Sequence, residues 1–312
     1  MEVAVVIVSY NGARWLFDCL THVFGSTIAL KVIVVDNHST DASCEIIKGF
    51  TDVELILLDE NYGFGKANNI GISYALSKNA DYVFLLNQDA YLETQTIEQL
   101  IEVHQKTLGY GVLSPIHLNG KGLGLDINFS NYIQKNTSLV YDALKGHYTA
   151  LVYDVPFVNA AGWLVPKETF KSIGGFDPIF YHYGEDVNYC QRLLFHGYKI
   201  GVVPNVFLLH DREQRITKEP QTDAEKLQLV ERKLKTHWAD INIEVETLIT
   251  RYKHSIKKTI VKQILQLKFK RVFYYKKELK LIDSLLLEVQ KSRRLNREEH
   301  PHYLNSHTTK RV

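Results

Sequence analysis

The sequence predicts an α/β protein carrying a basic, mainly helical appendage, and three observations lead there. Short β-branched runs alternate with stretches of helical apolar spacing through the first half of the chain. Polar clusters follow directly on those runs, and past residue 250 the strand-like pattern gives way to Lys-rich helical periodicity. Alternation of this kind builds βαβ units, a parallel sheet with helices on both faces, whose ligand crevice lies at the carboxyl ends of the strands.

Val3–Val8, Val32–Val35, Glu54–Leu58 and Tyr82–Leu86 read as strands, and their near-continuous apolar character fits burial on both faces. Segments starting at Trp15, Ser43 and Lys66 show helical spacing. From Gly109 to Pro156 the pattern weakens into Gly, Asn and Lys-rich sequence, read as loops and short strands over the cleft. Order returns at Phe157–Val165, followed by a helix from Pro166, a turn at Gly174-Gly-Phe-Asp177 and a helix opened by Gly184-Glu-Asp186. Lys199–Val203 is a further strand, and the apolar run Val206–Leu209 ends at His210. Composition changes within Glu213–Pro220, which divides the chain into residues 1–215 and a basic helical region, 216–312.

With 312 residues, 45% hydrophobic and 23% charged, the chain is neither disordered, collagen-like nor a disulfide-stapled miniature. The net charge of +2 conceals an asymmetry: residues 1–250 carry −10 and residues 251–312 carry +12. A basic tail on an acidic body suits a phosphate-rich or anionic partner. Cys19, Cys44 and Cys190 are widely spaced and odd in number, which fits a reducing cytosol and no disulfide framework. Val3–Val8 reads as a buried strand and not as a signal peptide, and no window approaches the ~18 apolar residues of a membrane span. These features place the chain in the cytoplasm, free or peripheral on the inner face of the cell membrane.

Four clusters carry chemistry. Asp36, after the second strand, can accept hydrogen bonds from a base or a ribose, or can start the turn before Ser39-Thr-Asp41. Asn61-Tyr-Gly-Phe-Gly65 with Lys66-Ala-Asn-Asn69 sets glycines and a cation at a strand-to-helix junction, where backbone N–H groups can face phosphate or merely close a turn. Asn87-Gln-Asp89 holds a carboxylate at the cleft mouth, suited to a divalent cation on a diphosphate or to loop closure. Glu185 and Asp186 open a helix behind the aromatic Tyr181-His-Tyr183, either as first-turn charges or with one serving as general base for a hydroxyl.

Taken in order, Val8-Ser-Tyr-Asn11, Val34-Val-Asp-Asn37, Asn61-Tyr-Gly-Phe-Gly65 with Ala67-Asn-Asn69, Leu86-Asn-Gln-Asp89, Gly184-Glu-Asp186 and His210 resemble the inverting glycosyltransferases of family 2 across residues 3 to about 212. The resemblance implies the GT-A nucleotide-sugar fold, a mixed Rossmann-like sheet. It also implies a donor site drawn from Ser9, Tyr10, Asn11, Asp36, Asn37, Gly65, Lys66, Asn69, Asn87, Trp163 and Glu185, although core packing accounts for Trp163 equally well. Asp89 and His210 are then the ligands of Mg²⁺ or Mn²⁺, and Asp186 the general base of a single displacement. The family's usual Asp-x-Asp is Asn87-Gln-Asp89 here, a form resembling rhamnosyltransferase-like members. That tilts only the donor, towards dTDP-rhamnose with UDP-sugars next; the family resemblance itself implies a glycan or lipid-linked acceptor in cell-envelope polysaccharide synthesis.

In the tail, Ile256, Ile260, Ile264 and Leu267 share one helical face, and Leu279, Ile282, Leu286 and Val289 repeat the stripe. The stripe suits packing on the catalytic domain or on a second copy in a homodimer. Its flanking lysines, with Phe269, Val272, Phe273, Tyr274 and Tyr275, suit an in-plane helix on anionic lipid. Nucleic acid is set aside, because it leaves the acidic cleft clusters without a purpose. A sugar-phosphate nucleotidyltransferase would favour a basic Gly-rich loop after the first strand, which Ser9-Tyr-Asn-Gly-Ala13 is not.

Overall fold

Every side chain from Val3 to Ile7 is buried, and alternate ones enter different cores: Ala4 and Val6 on one face, Val3, Val5 and Ile7 on the other. A strand with that pattern must be central and covered on both faces. The computed structural model, which describes residues 1–212 and 219–304, makes it so. β1 (Val3–Ser9) lies between β2 (Lys31–Asp36) and β4 (Tyr82–Asn87), with β3 (Val53–Leu57) outside β2, all parallel. The crossovers are α1 (Ala13–Phe24), α2 (Ser43–Lys48) and α3 (Phe64–Ser77), at the three places where helical spacing was read. α1 buries Leu16, Cys19, Leu20 and Val23, one face of a helix.

The other half of the sheet is mixed. Its order is β3-β2-β1-β4-β8-β6-β9-β5, with β8 (Gly162–Pro166) antiparallel to both β4 and β6 (Tyr110–Asn119). β9 (Lys199–His210) runs parallel to β6; β5 (Ala90–Leu92) and β7 (Tyr153–Asp154) pair antiparallel with it. Here the expectation of loops over the cleft from Gly109 to Pro156 fails. β6 is an interior strand with its first eight residues buried, and α5 (Ile127–Ile133) and α6 (Thr137–Lys145) follow it. Gly111 and Pro115 disguised it locally. Proline has no N–H for a ladder and belongs at bulges, and the β6/β9 register shifts between Pro115 and Ile116. α4 (Thr96–Lys106) was not anticipated either.

α7 (Lys167–Ile173) starts behind Pro166, and α8 (Glu185–Phe195) starts behind Gly184. α9 (Asp223–Trp238), α10 (Glu246–Leu265) and α11 (Phe269–Asn296) form a small core of their own from Leu234, Trp238, Val245, Ile256, Ile282, Leu285 and Val289. A capping box between Thr222 and Glu225 starts α9. The division of the chain expected between residues 215 and 216 lies outside the described residues.

These helices pack on the α/β body. Buried Asp177 accepts hydrogen bonds from Ser292 Oγ at 2.6 Å and Asn296 Nδ2 at 2.7 Å, and the Gly175 N–H donates to the His302 carbonyl at 2.8 Å. Buried Arg192 lies against the rings of Tyr189 and Tyr303. Most of the apolar stripe read in the tail is thereby occupied, with Ile256, Ile282 and Val289 inside the helical core and Ile260, Leu279 and Leu286 packed on it. No helix among the described residues is long and apolar enough to cross a membrane.

Candidate active site

The strands deliver their polar ends at one level. Ser9 is in register with Asp36, Asp36 with Leu57, and Val8 with Asn87. The loops beyond are tied by amide side chains. Gln88 Oε1 accepts from the Tyr10 N–H at 3.0 Å and its Nε2 donates to the Tyr10 carbonyl at 3.2 Å. Asn37 Nδ2 donates to Asn61 Oδ1 at 2.9 Å, and Asn37 Oδ1 accepts from the Tyr62 N–H at 2.8 Å. Above them opens a cleft of about 560 Å³.

Of the residues singled out in the sequence, Tyr10, Asn37, Asn87, Asp89, Glu185 and Asp186 line this cleft. The others do not line it. Ser9 is fully buried, and Asn11 Oδ1 accepts from the Thr40 N–H at 2.8 Å. Asp36 is buried and holds the turn, with Oδ2 accepting from the Ser39 N–H at 2.9 Å. Buried Asn69 clamps both polar groups of Phe176, donating to its carbonyl and accepting from its N–H, each at 2.7 Å. Trp163 on β8 is fully buried and stacks on Phe176, as core packing requires. Lys66 is exposed in the first turn of α3.

The glycines of the β3–α3 loop also serve packing. Gly63 holds φ 79°, and a Cβ there would lie 1.9 Å from the Tyr181 carbonyl oxygen. A Cβ added at Gly65 would lie 3.1 Å from Phe176 Cβ, closer than ordinary contact. The loop is thus pressed against the segment that leads into α8, which explains its glycines without a phosphate.

Two successive residues with positive φ, Tyr183 at 67° and Gly184 at 104°, turn that segment sharply and aim α8's first two side chains into the cleft. A Cβ on Gly184 would meet Thr236 Oγ1 at 2.6 Å, so α9 braces the turn from outside. Burial raises the pKa of Asp186 to about 6. Burial and the Asp186 charge raise that of Glu185 to about 8. Burial thus works against charge on both neighbouring carboxyls, so the pair holds a proton to higher pH than free carboxyls do, as an acid–base site requires.

Asp89, which lines the cleft, and His210, which does not, are both buried, with Asp89 Oδ1 3.5 Å from His210 Nε2. Asp126 Oδ2 lies 3.8 Å from the opposite ring nitrogen, Nδ1. Neither ring nitrogen of His210 has a hydrogen-bond partner among the described residues. Asp126 also caps α5 through the Phe129 N–H and grips Arg212, accepting from its Nε at 2.6 Å and from Nη2. Burial opposes ionisation of Asp126, but Arg212 and the Phe129 N–H prevail and lower its pKa. Among the described residues no group of three or more His, Cys, Asp or Glu gathers as a metal cage.

Asp126, Arg212, Gln88 and Asn159 are the residues that sequence reasoning missed; all but Asp126 line the cleft. Asp126 lay in the stretch read as loop, where a helix N-cap was its one local signal. Arg212 stands two residues beyond His210, a spacing that was there to be seen.

Comparison with known proteins decides the family. The model of glycosyl transferase family 2 matches residues 4–164. The chain belongs to glycosyl transferase family 2. This glycosyltransferase is 25% identical over 216 residues to a low-salt glycan biosynthesis hexosyltransferase of Haloferax volcanii, covering 68% of this chain and 67% of that one. It is 26% identical over 188 residues to a dTDP-rhamnosyl transferase of Shigella flexneri, covering 57% and 59%. It is 26% identical over 220 residues to a rhamnosyltransferase of Escherichia coli K12, covering 67% and 83%. The matched region thus spans about two thirds or less of the first two relatives' own lengths. The fold is that of Staphylococcus aureus TarS residues 1–349, a structure in complex with UDP-GlcNAc, at a TM-score of 0.55 and 14% identity over 95% of this chain and 88% of that one.

Proposed function

We propose that this family 2 member transfers a sugar, with inversion, from a nucleotide-sugar donor to a hydroxyl of a glycan or lipid-linked glycan in cell-envelope polysaccharide synthesis. One observation carries the reading: two neighbouring carboxyls on α8, each with its pKa raised by burial, line the same cleft as Asp89 and Arg212. Asp186, ionised above about pH 6, takes the proton from the acceptor hydroxyl as that oxygen attacks the anomeric carbon. Glu185, held neutral, donates a hydrogen bond to the bound sugars. Arg212, oriented by Asp126, turns its remaining N–H groups to the diphosphate. Asn87, Tyr10 and Asn37 border the donor.

The residues present fit a divalent cation. Asp89 and His210 offer an oxygen and an unpartnered nitrogen 3.5 Å apart, and Asp126 stands behind the imidazole as an orienting carboxylate. Mg²⁺ or Mn²⁺ held there would offset the charge of the leaving nucleoside diphosphate, and the nitrogen ligand favours Mn²⁺. The two rhamnosyltransferase relatives support dTDP-rhamnose as donor. The deciding experiment is a thermal-shift panel of dTDP- and UDP-sugars with and without Mn²⁺, followed by a transfer assay. Stabilisation by dTDP-rhamnose above the UDP-sugars is expected. Indifference to every nucleotide sugar would overturn the proposal.

A further inference from the structure

The tail's apolar stripe is mostly consumed by packing, but its far end is not. α10 and α11 form an antiparallel hairpin whose base is fixed: Arg293 donates to the Trp238 and Ile243 carbonyls at the end of α9 and beyond it, and Asn296 donates to Asp177 of the body. The 20 residues of α10 carry the chain about 30 Å from that base to the turn. There Val261, Ile264, Leu265, Leu267, Phe269 and Phe273 are 45–80% exposed. A cluster of large apolar side chains in water marks a contact surface. Leu267 at the apex holds φ 54°, an unfavourable conformation for a bulky residue, and presents its side chain outward at 74% exposure.

Charge surrounds this tip with one sign. Between Glu246 and Glu278 the sequence contains no carboxylate and ten Lys or Arg. Lys253 is paired with Asp283, while among the described residues none of the eight from Lys257 to Lys277 forms an ion pair. A second copy of so uniformly cationic a surface would be repelled. A nucleic acid would use the cations, but it could take up an apolar side chain only by unstacking its bases and would leave most of this apex in water. Anionic phospholipid satisfies both, with phosphates for the cations and acyl chains for Leu265, Leu267 and their neighbours.

We infer that the α10–α11 hairpin tip is a membrane-docking element that inserts its apolar apex into an anionic phospholipid surface. Only the tip enters; Ile256, Val272 and Ile282 stay buried within the protein. The docking surface is independent of which donor and acceptor the cleft takes.

Vesicle flotation of the full chain tests this. Phosphatidylcholine vesicles are compared with phosphatidylcholine vesicles containing phosphatidylglycerol, for the wild type, for Leu265→Glu/Leu267→Glu/Phe273→Glu, and for Lys257→Gln/Lys258→Gln/Lys262→Gln. The wild type is expected to float with the anionic vesicles only, and less so at high salt. Each triple variant is expected to lose at least about tenfold in vesicle partitioning while keeping the wild-type melting temperature. Undiminished flotation of the apolar-tip variant, or equal flotation on neutral vesicles, would overturn the inference. A wild-type dimer that this variant converts to monomer would assign the tip to a second copy, and retention of a nucleic-acid probe lost in the lysine variant would assign it to that ligand; either result also overturns it.

Discussion

Replacing Asp186 by Asn separates what this carboxylate costs from what it does. Burial raises its pKa from 3.8 to about 6. The unfolded chain therefore releases the proton near pH 4 and the folded chain near pH 6. Between those values the folded state holds more proton, so stability falls as pH rises, and the penalty reaches its full size above about 6. At 1.36 kcal/mol per pH unit, the cost at pH 7.5 is about 3 kcal/mol. Asp186→Asn removes it. At about 2 °C per kcal/mol for a chain of this size, the melting temperature at pH 7.5 rises by about 6 °C, and the gain roughly halves at pH 5. The same variant loses about 10²- to 10⁴-fold in transfer, as removal of a general base does. The wild type loses about tenfold in kcat per unit below pH 6. Differential scanning calorimetry at the two pH values and a pH–rate profile provide the readouts. A melting temperature unchanged at both pH values would refute the buried, raised carboxylate; a profile without an inflection near 6, or a fully active variant, would refute the base.

Asp126→Asn keeps the shape of the α5 cap but weakens the grip on Arg212 and the backing of His210; transfer should fall at least about tenfold, with a weaker response to Mn²⁺ in thermal shift. Gly184→Ala forces a Cβ into a residue with φ 104° and towards Thr236 Oγ1. It should cost about 1–3 kcal/mol in denaturant melts and lower kcat, and a neutral result would show that α9 does not brace the turn. Asp177→Ala leaves Ser292 and Asn296 without their buried acceptor. A loss of about 1–3 kcal/mol for each orphaned group is expected, read as earlier proteolysis of the tail helices in limited digestion; unaltered digestion would remove Asp177 as the anchor.

The parts of the molecule legible from sequence are those where one local pattern has one physical meaning. β1, β2 and β4 carry apolar runs that only a strand covered on both faces can bury, and the polar residues that follow them must then stand at a sheet's edge. That logic placed Asn37, Asn87 and Asp89 at the cleft. It failed at β6, where Gly111 and Pro115 signal a break and the strand survives because its irregularity falls where the ladder with β9 shifts register. It also could not tell that Gly65, Asn69 and Trp163 pack against Phe176, because a residue near a motif looks the same in sequence whether it faces a ligand or a core ring.

The sequence by itself determined the family, the α/β order of the first half and the acidic body with its basic tail, because these depend on residue type and spacing along one segment. The tertiary structure alone decided the rest. It put Asp126 behind His210 across 84 residues of chain, raised the pKa of both Glu185 and Asp186 by burial, and spent most of the tail's stripe on internal packing, leaving the α10–α11 tip exposed. Burial and through-space charge are properties of neighbours brought together by folding, and no local pattern records which neighbours those will be.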